Sequence, residues 1–167
     1  MDLFDDIKYL KTGNSTQRKV YRVLTELNIF NLLKEFNPIL VGSIPIEIDT
    51  DKSDLDIICY WKKKENFTKI LQDNLSNLPD FSIKEKVKRE RFTIIARFKI
   101  SNFEVEIFGQ NRPTKEQEAY RHMIIEHQIL QKFGVPFKTK IVELKRQGVK
   151  TEVAFGNLLG LNGDPYM

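Results

Sequence analysis

Apolar residues in the first half of the chain change between helical spacing and strand spacing. From Gln17 to Phe36 they recur three and four positions apart, which predicts an amphipathic helix ended by Asn37-Pro38. The run from Ile39 to Val41 is apolar throughout, as is typical of a central strand. A second strand is predicted from Asp54 to Trp61, and a second helix from Glu65 to Leu78.

The middle of the chain has strand character. Three consecutive strands are predicted, from Phe81 to Arg89, from Phe92 to Ile100 and from Phe103 to Phe108. Ser101-Asn102 predicts a two-residue hairpin turn between the last two strands. Earlier in the chain, the alternation from Ile44 to Ile48 indicates extended backbone.

The last third of the chain is predicted to be helical. A long helix opens at Pro113 and reaches about Phe133, where Gly134 and Pro136 close it. A shorter helix covers 138–147, and a third runs from a cap at Thr151 to near Gly160, followed by a turn at 162–165.

The order α-β-β-α-β-β-β-α-α-α predicts an α+β (mixed α/β) fold, with a mixed sheet that carries helices mainly on one face and additional C-terminal helices. No repeat or linker divides the chain, so we expect a single domain over 1–167, with a core at about 17–110 and a C-terminal helical part at about 111–167.

Composition adds limits on the class of protein. With 167 residues, 41% of them hydrophobic, the chain has ample material for a core. No segment resembles a signal peptide or approaches the roughly 20 apolar residues of a membrane helix, so we expect a cytoplasmic protein. The single cysteine, Cys59, excludes an intramolecular disulfide, and a net charge of +4 is too small to argue for nucleic acid on its own.

Candidate chemistry is concentrated between the first two strands. Gly42-Ser43 directly follows a strand and offers backbone N–H groups and a small hydroxyl to phosphates. Asp54 and Asp56 lie on the same face of the next strand, because side chains alternate along a strand. Two such carboxylates repel each other unless a cation lies between them, and Mg²⁺ commonly takes one or two carboxylates plus substrate phosphates.

A further acidic strand, Phe103-Glu104-Val105-Glu106-Ile107-Phe108, follows later. This combination resembles the polymerase-β-like nucleotidyltransferase superfamily, which has an apolar strand, Gly-Ser, Asp-apolar-Asp and a third carboxylate on a later strand. The superfamily resemblance covers roughly 17–110. The whole chain, including its ending Gly-Asn-Leu-Leu-Gly-Leu-Asn-Gly-Asp-Pro-Tyr, resembles a small bacterial family of unknown function usually placed in that superfamily.

The resemblance implies a set of site residues. Asp54, Asp56 and Glu106 would be the catalytic residues and would bind Mg²⁺ or Mn²⁺, with Glu106 also the general base. Gly42 and Ser43 would contact the phosphates of an NTP such as ATP. We assign Lys52 and Arg121 to the same nucleotide, as sources of positive charge.

The reaction implied is transfer of a nucleoside monophosphate to a hydroxyl, with release of pyrophosphate. A small molecule or a protein is the preferred acceptor, because no RNA-binding module accompanies the site. Nucleic acid remains a possible acceptor, and no membrane partner is expected.

Each candidate also has a plainer interpretation. Asp54 and Asp56 could be polar residues at an exposed strand start, and Glu104 a surface glutamate. His122 and His127 fit histidines on a helix face that hydrogen-bond a nearby carboxylate.

Two other functions stay open. One is a non-catalytic nucleotide- or metal-binding module on the same fold. The other is a basic nucleic-acid-binding domain that uses the cations of the middle strands. Three of these, Lys84, Lys86 and Lys88, fall on one face of a strand, which is typical of a solvated edge strand and, as the alternative, of a track for a polyanion. The remaining two are Arg89 and Arg91.

Overall fold

Five strands form one mixed sheet in the computed structural model, which describes residues 1–160. The strands are β1 (Ile39–Val41), β2 (Leu55–Tyr60), β3 (Ser82–Lys88), β4 (Arg91–Ile100) and β5 (Phe103–Gln110). The helices are α1 (Ser15–Glu26), α2 (Ile29–Leu32), α3 (Lys64–Leu75), α4 (Glu118–Arg146) and α5 (Thr151–Leu159). The predicted mixed α/β fold class is confirmed. The turn predicted at 162–165 lies outside the described residues.

The sheet has the strand order β1-β2-β5-β4-β3. β2 and β5 pair in parallel, and the other neighbouring strands are antiparallel. The predicted hairpin at Ser101-Asn102 is confirmed: both residues have positive φ, 47° and 70°, as a type I′ turn requires. The β3–β4 hairpin has the same feature at Arg89-Glu90, with φ of 48° and 66°. The lysine-bearing strand β3 lies at the sheet edge.

Each face of the sheet contributes to a hydrophobic core of its own. Leu55, Ile57 and Cys59 of β2 point into a core formed with α1, α2 and α3. Ile58 points the opposite way, into a core formed with α4 and α5. β1 contributes to both cores, which explains its apolar sequence. The N-terminal helices and α3 therefore cover one face, while the C-terminal helices cover part of the other.

The helix predicted from Gln17 to Phe36 is divided into shorter segments. It begins at Ser15, where the Asn14 side chain accepts a hydrogen bond from the Gln17 N–H at 2.9 Å and completes a capping box. It breaks at Asn28, whose φ of 56° is left-handed, a conformation that asparagine adopts more readily than most residues. The break allows both Ile29 and Leu33 to be fully buried.

The segment from Ile44 to Ile48 is a turn, and the extended backbone predicted for it is wrong. The Ile48 N–H donates to the Ser43 carbonyl at 3.1 Å, and Glu47 has a φ of 62°. The reason is burial: a strand would place all three isoleucines on one face, whereas the turn buries Ile44 in one core and Ile46 and Ile48 in the other.

The predicted end of the long helix at Gly134 is confirmed. Gly134 has φ 76° and ψ −168°, so 118–146 consists of two helical segments that meet at a kink, and the second begins directly after Gly134 rather than at 138. Across residues 1–160, no helix combines the length and the apolar character needed to cross a membrane.

Candidate active site

The parallel pairing of β2 with β5 places two of the predicted acidic residues side by side. Asp56 and Glu106 are direct partners in the register, so their side chains project from the same face on adjacent strands. Asp54 precedes β2 by one residue and is exposed, whereas Asp56 and Glu106 are half-buried.

Gly42 lies beside the Asp56 carboxylate. Val41 pairs with Asp56 across the β1–β2 ladder, and the chain leaves β1 at Gly42 with a φ of +92°. A Cβ at this position would lie 3.2 Å from Asp56 Oδ2. Glycine is therefore required here both for its backbone conformation and for the close approach of the carboxylate. The next residue, Ser43, donates its hydroxyl to Ser53 Oγ at 3.0 Å.

Burial and nearby negative charges both raise the pKa values of Asp54 and Asp56. Burial, followed by the negative charges of Glu106 and Asp54, raises the pKa of Asp56 to about 7, against the opposing effect of Arg97. Burial also raises the pKa of Asp54, with Glu104 and Glu106 as the next causes. Such repulsion is what a site for a divalent cation would show in the absence of the cation.

Arg97, which the sequence did not suggest as a site residue, holds Glu106. Its Nε and Nη2 both contact Glu106 Oε2, at 2.9 Å and 2.8 Å, which leaves Oε1 outside this ion pair. A usable signal was present in the sequence. A two-residue turn at Ser101-Asn102 pairs Ile100 with Phe103, and counting back three residues on β4 and forward three on β5 pairs Arg97 with Glu106.

The pair of Asp56 and Glu106 lines a cleft of about 630 Å³. The cleft is bordered by the turn after β1, by the sheet face, by the tip of the β3–β4 hairpin and by the start of α4. Its other polar and charged lining residues are Ser43, Lys88, Arg89, Arg91, Gln110, Arg112, Gln117, Glu118, His122, Glu126, Thr151 and Glu152. Asp54 instead lines a smaller cavity of about 290 Å³ together with Glu104, Arg97 and Glu106. Glu106 thus borders both spaces.

The two cations assigned from sequence do not line the cleft. Lys52 and Arg121 are exposed, and neither is among its lining residues. Four other cations line it, namely Lys88, Arg89, Arg91 and Arg112. Arg89 forms an ion pair with Glu118, which ties the β3–β4 hairpin tip to the first turn of α4.

Gln117 lies at the start of α4, four residues before Arg121. It is the N-cap of the helix and has extended φ and ψ. It is buried, and its Nε2 donates to the carbonyls of Cys59 and Arg112, both at 2.9 Å. Of the histidines, His122 lines the cleft, whereas the His127 ring packs edge-on against Phe4 at 5.2 Å.

The model of a domain of unknown function, DUF4269, matches residues 22–167. The chain belongs to the DUF4269 family. No curated protein matches its sequence.

Solved structures resemble the DUF4269 chain in fold. A cytoplasmic RNA terminal U-transferase has a TM-score of 0.57 at 15% identity, over 87% of this chain and 48% of that one. The Cid1 poly(U) polymerase bound to MgGTP has a TM-score of 0.55 at 14% identity, over 77% of this chain and 41% of that one. The GLD-2/RNP-8 complex has a TM-score of 0.55 at 15% identity, over 86% and 56%. This chain therefore spans about half the length of these proteins and shares their fold over that part.

The DUF4269 chain offers oxygen donors for a cation without a closed metal cage. Within residues 1–160, no three Asp, Glu, His or Cys side chains are grouped in a way that could hold a metal ion. Asp56 and Glu106 provide carboxylate oxygens at the cleft wall, and the missing Cβ of Gly42 leaves room beside Asp56 Oδ2. Mg²⁺ accepts such partial sites, because it commonly takes only one or two carboxylates and completes its coordination with water and substrate phosphates.

Proposed function

We propose that this protein is a nucleotidyltransferase that moves a nucleoside monophosphate from an NTP to a hydroxyl acceptor and releases pyrophosphate. The observation that carries the proposal is the placement of Asp56 beside Glu106, directly next to the left-handed Gly42 and on a cleft lined by four cations. The shared fold with nucleotidyltransferases supports it.

Asp56 and Glu106 would hold Mg²⁺ or Mn²⁺ at the cleft, and Asp54, which lines the smaller cavity on the other side of Glu106, is the third ligand that the sequence resemblance implies. Their hard oxygen donors match the preference of these ions, and the raised pKa values of both aspartates are relieved when a cation neutralises the repulsion. The bound ions would supply charge neutralisation at the phosphates and at the attacking and leaving oxygens.

The chain's own groups then have separate tasks. Gly42 and Ser43 bind the phosphates with backbone N–H groups and a hydroxyl. The proposed phosphate-binding cations are Arg89, Arg91 and Arg112, which line the cleft. They replace Lys52 and Arg121, which do not line it.

Glu106 is the proposed general base. Arg97 occupies Oε2, so Oε1 is the oxygen that accepts the proton of the acceptor hydroxyl. The acceptor oxygen forms a bond to the α-phosphorus, the bond from that phosphorus to the bridging oxygen breaks, and pyrophosphate leaves with the bonding electrons.

A transfer assay tests this proposal. The protein is incubated with each α-labelled NTP, Mg²⁺ or Mn²⁺ and cell extract, and labelled products are separated. Wild type should give labelled product, and Asp56→Asn and Glu106→Gln should each lose it by at least 10²-fold.

Glu104→Gln is the matched control. Glu104 lies two residues from Glu106 on the same strand and the same face. Unlike Glu106 it is exposed, and its Oε1 lies 3.8 Å from Lys99 Nζ. Comparable loss from Glu104→Gln would contradict the choice of Glu106. Nucleotide binding in calorimetry without any labelled product would indicate a non-catalytic nucleotide-binding module instead.

A further inference from the structure

The three lysines of β3 lie on the same face of the sheet as the acidic pair. The register links Lys84 through Ile95 to Phe108, and Phe108 is two residues from Glu106 on β5. A second ladder links Lys86 through Thr93 to Gln110. Directly paired residues project from one face, so the lysine row lies on the face of the cleft floor, at the sheet edge, and Lys88 at its end lines the cleft.

The basic and acidic side chains of β3 lie on opposite faces of the sheet. The only acidic residue of the strand, Glu85, points to the opposite face and forms an ion pair with Lys64 at 2.6 Å. Lys84, Lys86 and Lys88 are all exposed, and in the part of the chain that the structure describes none of them forms a salt bridge. Protection of an edge strand accounts for lysines on β3, but it does not account for a row of three on the face of the acidic pair whose last member, Lys88, lines the cleft.

The basic row meets an aromatic ring where it enters the cleft. Lys88 Nζ lies 5.5 Å from the centroid of the Phe108 ring. Phe108 is half-buried on the cleft floor, next to Ile58 of β2. Cations that follow a backbone, combined with an aromatic surface for a base, are the two elements of single-strand binding sites.

We propose that this face binds the sugar-phosphate backbone of a single-stranded nucleic acid whose terminal hydroxyl is the acceptor of the proposed transfer. Alternate residues of a strand are about 7 Å apart, so the three lysines span roughly 14 Å, which is longer than one phosphate group and suits a repeating anion. Lys84 lies two strand spacings, about 10 Å, from Phe108. A strand held along this row ends beside Phe108 and Glu106, and a cleft of about 630 Å³ admits a strand end rather than a duplex.

The role of the terminal hydroxyl as acceptor rests on the proposed function, but binding of the strand to this face can be tested without it. Binding of a fluorescein-labelled 15-nucleotide oligouridylate is measured by anisotropy in EDTA, without NTP, between 50 and 300 mM salt. The variant combines Lys84→Gln, Lys86→Gln and Lys88→Gln. The control combines Lys11→Gln, Lys19→Gln and Lys140→Gln, which removes the same charge at exposed positions that do not line the cleft.

We expect the β3 variant to bind the oligonucleotide at least tenfold more weakly at 100 mM salt. Its slope of log affinity against log salt should be shallower by about 2, since each phosphate contact of a single strand contributes roughly 0.7. The control should retain the wild-type slope. Equal slopes in the two variants, or no oligonucleotide binding by wild type, would overturn the inference.

Extension of the oligonucleotide separates the two proposals. Wild type with NTP and Mg²⁺ should lengthen an oligonucleotide with a free 3′-hydroxyl, and should bind but not lengthen one with a 3′-phosphate. Lysine-dependent binding without any labelled product from any NTP would contradict the proposed function and leave the surface in place. Labelled small molecules or proteins formed without oligonucleotide binding would contradict the surface and leave the function in place. Lysine-dependent binding of phosphatidylglycerol vesicles, with no oligonucleotide binding, would also overturn the inference.

Discussion

Asp56 is the residue at which burial and charge conflict most strongly. It lies on a strand whose neighbouring positions are buried, beside Glu106 and within the influence of Asp54. A carboxylate in this setting costs free energy unless a cation approaches it. Local instability of this kind is common where an active site stores unfavourable charge.

The pKa of Asp56 predicts how stability depends on pH. The folded protein holds a proton on Asp56 up to about pH 7, whereas the unfolded chain releases it near the ordinary value of 3.8. Between these values the folded state binds more protons, so stability decreases as pH rises from about 4 to about 7. In EDTA, Asp56→Asn should match wild type at pH 4.5 and exceed it by about 1–2 kcal/mol at pH 8.

Urea melts at several pH values provide the measurement. Asp54→Asn should change stability in the same direction but by less, because Asp54 is exposed. If Asp56→Asn is clearly less stable than wild type at both pH values, Asp56 has a structural role, such as satisfying buried N–H groups.

Gly42 is a second position where one residue decides the site. Gly42→Ala combines a left-handed backbone with a Cβ only 3.2 Å from Asp56 Oδ2. Gly148→Ala is a matched control, because Gly148 has a φ of +93° and nothing within 4 Å of the added Cβ. Both changes should cost about 1 kcal/mol or more through backbone strain.

Only Gly42→Ala should also weaken Mn²⁺ binding, because it displaces the Asp56 carboxylate. Calorimetric titration with Mn²⁺ and a non-hydrolysable NTP analogue measures the difference. Unchanged metal binding by Gly42→Ala would place the metal away from Asp56.

At the scale of elements, the turn from Ile44 to Ile48 joins distant helices to the site. Gln17 of α1 donates Nε2 to the carbonyls of Ile44 and Pro45, at 3.0 Å and 3.4 Å. Lys145 of α4 donates Nζ to the Ile48 carbonyl at 2.7 Å. Burial lowers the pKa of Lys145, and nearby carboxylates led by Glu126 oppose that effect. The turn that follows Gly42-Ser43 is thus held at both ends by side chains from other elements.

Gln17→Leu tests the importance of this support. The change leaves two buried carbonyls without their donor and removes half of the capping box at Asn14, so it should cost about 2 kcal/mol or more. Gln72→Leu on the exposed surface of α3 should stay within about 0.5 kcal/mol of wild type. Chemical denaturation measures both, and equal stability of the two variants would show that the turn holds its conformation without Gln17.

At the scale of the whole molecule, the sheet separates packing from chemistry. α1, α2 and α3 cover one face except at the tip of the β3–β4 hairpin, while α4 and α5 pack on the other face near β1 and β2. That second face carries Asp56 and Glu106 toward its centre and the β3 lysines at its edge. The acidic pair can attract a metal cation, and the basic surface beside it can attract the anionic substrate that the cation carries.

Ligand binding should therefore stabilise the whole fold. With Mg²⁺ and a non-hydrolysable NTP analogue at about 100 times the Kd, wild type should gain roughly 2.7 kcal/mol. For a chain of this size that is a rise of roughly 5–10 °C in Tm. Asp56→Asn should show no shift, and calorimetric scans of both proteins provide the comparison. A shift of equal size in the variant would exclude Asp56 from the ligand site.

The sequence by itself determined the five strands and the acidic pattern, because both depend on short-range geometry. Apolar spacing predicted the strands to within two residues at each end, and strand alternation placed Asp54 with Asp56 and Glu104 with Glu106. The hairpin turn at Ser101-Asn102 also determined which β4 residue faces Glu106, although only the structure made Arg97 evident.

Tertiary structure alone decided the turn at Ile44–Ile48 and the cations of the cleft. The alternation of that segment fits a strand as well as a turn, and only burial in two separate cores distinguishes them. Lys52 and Arg121 are close to the motifs in sequence but remain exposed. The cations that line the cleft come from the β3–β4 hairpin and from the segment before α4, because sheet pairing and the Arg89–Glu118 ion pair bring chain segments together that are distant in sequence.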